Sequence, residues 1–129
     1  MHRGLRTAFA VAGIVGLLAA GPGASAKGGN DVTKRGSCSA QSEWKLKLSP
    51  DNGKIEVEFE VDQNKVGDTW RVAIRENGNR VFRGKRVTRG PSGSFTVRTL
   101  ARNPAGSDSF KATAANLSTN ESCVGRASI

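Results

Sequence analysis

WKLKLSPDNGKIEVEFEVD, residues Trp44 to Asp62, alternates apolar and charged side chains on both sides of a Ser49-Pro-Asp-Asn-Gly53 break. Trp44, Leu46 and Leu48 lead into the break, and Ile55, Val57, Phe59 and Val61 leave it. A period of two places every second side chain on one face of an extended strand, so the stretch reads as a hairpin with one buried face. With paired numbers summing to 103, Leu48 faces Ile55, Leu46 faces Val57 and Trp44 faces Phe59, while Lys47 and Lys45 meet Glu56 and Glu58. One face buries and the other pairs charges.

The same logic continues outward. Thr69 to Glu76 turns Trp70, Val72 and Ile74 inward and Arg71 and Arg75 outward, and Asn77-Gly78 is a strong two-residue hairpin signal. In the returning strand, a two-residue loop sets Ile74 against Val81 and drops Arg83 and Lys85 opposite Val72 and Trp70, as on an edge strand that peels from the core. Breaks at Gly90-Pro-Ser-Gly93 and Asn103-Pro-Ala-Gly106 introduce Phe95, Val97 and Thr99, then Phe110, Ala112 and Ala114, and a last strand carries Cys123. About seven short strands with no helical period after residue 26 predict an all-β, two-layer antiparallel β-sandwich.

Residues 1–26 read as a secretory signal peptide, a helix in the usual case. Arg3 and Arg6 open it, Thr7 to Ala20 is an apolar run, and Ala24-Ser-Ala26 is the expected cleavage site. The run is shorter than the roughly 20 residues of a membrane span, so no transmembrane anchor is expected after cleavage. Residues 27–37 are polar and Gly-rich and read as a flexible N-terminal arm, with the sandwich domain over 38–129. Export into an oxidising compartment pairs Cys38 with Cys123, the only two cysteines. That bond closes most of the domain and contributes about 4.5 kcal/mol in the chain-entropy model, a large share for a chain that is only 5 % aromatic.

Trp70 in the third strand, and Asp108-x-Phe110-x-Ala112-x-Ala114-x-Asn116 ahead of the last, resemble the immunoglobulin and fibronectin type III pattern. Phe110 stands where that pattern has its corner tyrosine, and Ala112 where it has an intersheet cysteine, so the resemblance implies the fold without those two bonds. The Trp44-Lys-Leu-Lys-Leu-Ser-Pro50 run, Glu56-Val-Glu-Phe-Glu-Val-Asp62 and Pro91-Ser-Gly-Ser-Phe-Thr-Val-Arg98 resemble a group of small secreted actinobacterial proteins of unassigned function. This second resemblance covers nearly the whole mature chain and implies no activity.

Chemistry is sparsely represented. The one His, His2, lies in the signal segment, leaving no imidazole for acid–base work or metal binding. Glu56, Glu58, Glu60 and Asp62 read as a solvated strand face partnered by Lys45 and Lys47. Asp62 to Gly67 echoes a calcium loop, but Val66 takes a ligand position and Ala73 stands where the bidentate Glu belongs. No Ser-nucleophile motif occurs. No catalytic residue, metal or cofactor is therefore expected, and the chain reads as a non-enzyme.

Charge is the feature above background. The chain carries a formal +9, and between Thr69 and Arg102 nine basic residues stand against Glu76 alone. Parity places Arg71, Arg75, Arg80, Phe82 and Arg86 on one sheet face, with Lys111 flanking them in a fibronectin-like strand order. The expected role is a secreted, non-catalytic module whose basic face binds an anionic cell-envelope polymer or an acidic protein. Intracellular nucleic acid is excluded as a partner by export. The alternative is an inhibitor of an extracellular enzyme, presenting the Arg89–Gly93 or Arg102–Gly106 turn.

Overall fold

The computed structural model describes residues 30–129, so the expected signal segment and residues 27–29 lie outside the described residues. Eight strands follow one another: β1 Val32–Ser37, β2 Glu43–Asp51, β3 Lys54–Asp62, β4 Thr69–Glu76, β5 Asn79–Val87, β6 Ser94–Arg102, β7 Ser109–Asn116 and β8 Ser122–Ser128. They form two four-stranded antiparallel sheets, β1-β2-β3-β6 and β5-β4-β7-β8, packed as a sandwich. Without β1, the seven remaining strands keep the fibronectin-like order, the β4 strand with Trp70 lying between β5 and β7. No helix long and apolar enough to cross a membrane occurs among the described residues.

The extra strand corrects the expected arm. Val32–Ser37 pairs with β2 along its whole length, from Val32 opposite Leu48 to Ser37 opposite Glu43. Its residues show no apolar alternation because it is an edge strand: main-chain bonds to β2 hold it, and Lys34 on its inward parity is exposed.

The β2–β3 register is two residues from the expected one. Asp51 pairs with Lys54, so the turn is Asn52-Gly53 alone, both at positive φ (50° and 77°), as a two-residue hairpin loop requires. Leu46 therefore faces Phe59, Leu48 faces Val57, and Lys47 and Lys45 face Glu58 and Glu60. A shift of two leaves each residue on its expected face, so the buried set is unchanged. Ser49, Pro50 and Asp51, expected in the turn, extend the strand instead.

Between the sheets lie Leu46, Leu48, Ile55, Val57, Phe59 and Val61 on one side and Trp70, Val72, Ile74, Phe110 and Ala112 on the other, all fully buried. The Trp70 and Phe95 rings pack 6.1 Å apart. Trp70 Nε1 donates to Gln63 Oε1 at 3.0 Å, satisfying the one polar atom of a completely buried indole. Gln63 in turn donates to Asp68, whose carboxylate also accepts from Asn116 Nδ2 at 3.0 Å.

One seam of the sandwich, where β1 meets β8, is closed by three devices. Cys38 and Cys123 form the expected disulfide. Glu121 accepts hydrogen bonds from Ala40 N (3.0 Å), Ser42 N (2.8 Å) and Ser42 Oγ (2.7 Å), so the loop after β1 is held by a buried, fully partnered carboxylate. The Trp44 indole lies between two glycines, Gly36 on β1 and Gly125 on β8; a Cβ on either would stand 2.6 Å or 2.8 Å from the ring. The two glycines are there for close approach, since neither adopts a positive φ.

Gly125→Ala is expected to destabilise by about 1–3 kcal/mol through overpacking against the indole. The cost should shrink when Trp44→Leu is combined with it; a double-mutant cycle in denaturant measures this, and additive single effects would contradict the wedge.

Candidate functional site

The outward face of the β5-β4-β7-β8 sheet is fixed by what the inward face buries. Trp70, Val72, Ile74 and Glu76 of β4 point in, so Arg71, Ala73 and Arg75 point out. Cross-strand partners share a face. Arg75 pairs with Arg80 on β5 and with Lys111 on β7, and Lys111 pairs with Arg126 on β8. Arg80, Arg75, Lys111 and Arg126 thus form one cationic row across all four strands, each of them exposed. At about 4.8 Å between strands, the row is about 14 Å long at the backbone.

A register change between Ile74 and Arg75 determines the rest of the face. Arg75 pairs with Arg80 but Ile74 pairs with Phe82, which leaves Val81 as the extra residue of a β-bulge. Beyond it the parity of β5 reverses. Arg83 and Lys85 come to lie opposite Ala73 and Arg71, on the solvent face, instead of opposite the core. Phe82 and Arg86, expected on the basic face, belong to the other one: they stand opposite Ile74 and Trp70 and are half-buried. Their side chains converge over Gly84, the Arg86 guanidinium 5.1 Å from the Phe82 ring centre. This aromatic–cation lid covers the edge of the core and is unavailable to a ligand on the outer face.

Of the six expected face residues, Arg71, Arg75, Arg80 and Lys111 are brought together, Phe82 and Arg86 are not, and Arg83, Lys85 and Arg126 join. Arg126 was legible, because Cys123, Gly125 and Ala127 are the small inward residues of β8 and leave Arg126 outward. For Arg83 and Lys85 the signal was the adjacent apolar pair Val81-Phe82, which a strictly alternating strand does not carry.

The seven cations Arg71, Arg75, Arg80, Arg83, Lys85, Lys111 and Arg126 have no counter-charge on their own face. None of the ion pairs among the described residues includes them. The opposite outer face is different in kind: Glu58 meets Arg98 at 3.1 Å, Glu60 meets Lys45 at 4.0 Å, and Asp31 meets Lys47 at 3.6 Å. Glu58 and Glu60 are thus charge-paired, while Glu56 stands opposite Ser49 and Leu100 with no cation beside it. Like charges directly opposite across strands destabilise a sheet. The only side-chain hydrogen bond that an Arg of the row makes among the described residues is local, from Arg75 Nη1 to Gly78 O at 3.1 Å.

Other polar groups of the molecule are engaged structurally. An open cleft of about 440 Å³ lies at one end, lined by Gln63, Lys65, Thr119, Asn120 and Glu121 among others, but Gln63 and Glu121 are already partnered inside the fold. No group of three or more His, Cys, Asp or Glu among the described residues is placed to hold a metal ion. Asn116, which heads one of the two Asn-x-Ser sequences, is 1 % exposed and uses both ends of its amide, donating to Asp68 and accepting from Ser118 N and Thr119 N. Comparison with protein-family models, with curated proteins and with solved structures finds no match for this chain.

Two buried carboxylates respond to pH in opposite directions. Asn116 and Gln63 donate to Asp68, and with Lys65 nearby they hold its carboxyl below the ordinary 3.8. Its contribution is present above that value and is lost as pH falls through the depressed one. Glu76 is pushed above the ordinary 4.5, chiefly by burial and further by the Asp108 carboxylate, with Arg102 opposing. Glu76 Oε2 and Asp108 Oδ2 are both buried without a partner. A raised pKa means that the folded state holds the proton more tightly, so stability falls as pH rises from 4.5 through the raised value. Glu76→Gln is therefore expected to melt higher than the wild type at pH 7, with the gap closing below pH 4.5; an equal gap at both pH values would contradict the burial argument.

Arg75 has a cation on each side in its row. Arg75→Thr is expected to raise stability by about 0.5 kcal/mol at low salt, or roughly 2–4 °C in Tm for a domain of this size, and to lose the gain near 1 M salt. Thermal melts at the two salt concentrations check it, and a gain that persists in high salt would make it a matter of strand propensity.

Proposed function

We propose that the protein is a secreted, non-catalytic binding module that holds an anionic polymer of the cell envelope on the outer face of the β5-β4-β7-β8 sheet. The observation that carries this reading is the four-stranded row Arg80, Arg75, Lys111, Arg126, continued by Arg71, Arg83 and Lys85, with no acid among them. A surface that only solubilises does well with both signs interspersed, as on the opposite face, and does not call for seven like charges gathered on one side. A single-sign field on one side steers and holds an anionic surface. The Cys38–Cys123 disulfide fits the oxidising compartment in which such a polymer is met.

The loop reading keeps the exposed Arg102–Gly106 turn and loses the other. In the Arg89–Gly93 turn, Gly93 packs against the backbone of Asn64 and Lys65, and its carbonyl accepts from Gln63 N at 3.0 Å. A loop laid against its neighbour offers a protease little to grip.

Retention on heparin and on isolated cell-wall polymer is expected to fall sharply with salt. The variant Arg71→Ser, Arg75→Ser, Arg80→Ser, Lys111→Ser should elute well before the wild type. A charge-matched control, Lys34→Ser, Arg35→Ser, Lys54→Ser, Arg89→Ser, should elute close to it. Equal early elution of both variants would reduce the effect to net charge and overturn a face-specific site.

A further inference from the structure

We propose that the polymer is a linear phosphate chain of high charge density and that it lies across the strands, along the Arg80–Arg75–Lys111–Arg126 row; this rests on the binding role proposed above. The seven cations are unevenly placed. One row is complete over four strands, whereas the parallel row through Ala73 is Arg83, Ala73, Thr113 and Val124, with a single charge. The row beyond it carries Lys85 and Arg71 and then ends in Ala115 and Ser122. A chain running parallel to the strands meets three cations along β5 (Arg80, Arg83 and Lys85), two along β4 and one along β7 or β8, and none of these lines crosses the whole sheet. A chain running across them meets a cation at every strand, about every 5 Å.

That interval selects the ligand. A polymer with one carboxylate per disaccharide repeat offers the row too few anions to use its four cations together. A phosphate chain presents anions densely enough to engage them successively. Three of the four row members are arginines, whose planar forks bind phosphate oxygens in pairs. Ala73 and Thr113 flank the row with short side chains, so the chain can approach the guanidinium groups closely. The row carries only like charges, and an occupying polyanion turns that mutual repulsion into attraction.

The test compares two doubly substituted proteins of equal charge: Arg75→Ser with Lys111→Ser, in the row, and Arg71→Ser with Lys85→Ser, outside it. Affinity for long-chain inorganic polyphosphate, tripolyphosphate and hyaluronate is measured between 50 mM and 200 mM salt. Four phosphate contacts on a single chain predict a loss of about 50-fold over that range for the wild type and for the off-row variant, against about 7-fold for the in-row variant, which keeps two contacts. Long-chain polyphosphate should bind more tightly than either of the other ligands. Equal losses for the two variants, or hyaluronate binding as tightly as polyphosphate, would overturn the row and the phosphate chain while leaving a polyanion-binding face. Failure of the wild type to bind any of these and heparin would overturn both readings. All four residues are exposed, and melting temperatures at or above that of the wild type should confirm that the variants fold.

Discussion

Every feature of the basic face follows from the burial of the opposite side of the same strands. Trp70, Val72 and Ile74 must be removed from water, and in a strand that decision sets the direction of each residue between them. Trp70 fixes the β4 strand most firmly, because its ring packs on Phe95 while its indole N–H is held by Gln63, which is anchored through Asp68 to Asn116 at the end of β7. The two strands that flank the row's centre, β4 and β7, are thus tied to each other by a polar network at one end and a packed core along their length. The cations ride on this frame.

Period-two alternation made most of the fold legible. Both sheets and their buried residues can be read from Trp44 to Asp62, from Thr69 to Glu76 and from the Asp108–Asn116 stretch, because each has one face that must bury. Where no face buries, the reading stops. Val32–Ser37 has one apolar side chain in six and is a strand through main-chain bonds, which sequence patterning does not record. The β2–β3 register differed because Pro50 and Asp51, residues that favour turns, were accommodated in the strand while Asn52-Gly53 alone supplied the reversal.

The candidate site was legible in sign and only partly in membership. Charge counting located the basic strands; parity put Arg71, Arg75 and Arg80, and a fibronectin-like strand order put Lys111, on the face they share in the structure. A single bulge at Val81 then exchanged Phe82 and Arg86 for Arg83 and Lys85, since one inserted residue inverts every direction after it. The exchange removes the one aromatic from the face and leaves cations set among small aliphatic and hydroxyl side chains. What the face offers a ligand is therefore charge and not stacking.

The seam between β1 and β8 has a mechanical meaning. Cys38 follows the first strand and Cys123 lies near the start of the last, so a force applied through the chain's two ends passes from one to the other across a covalent bond. Strands β2 to β7, with the hydrophobic core and almost the entire cationic row, lie inside the closed loop and are not extended by that force. Only β1 and the outer part of β8, which carries Arg126, can be peeled away under load. A pull on either end would therefore leave β4, β5 and β7 folded, with Arg75, Arg80 and Lys111 in place, while the terminal strand on the loaded side yielded.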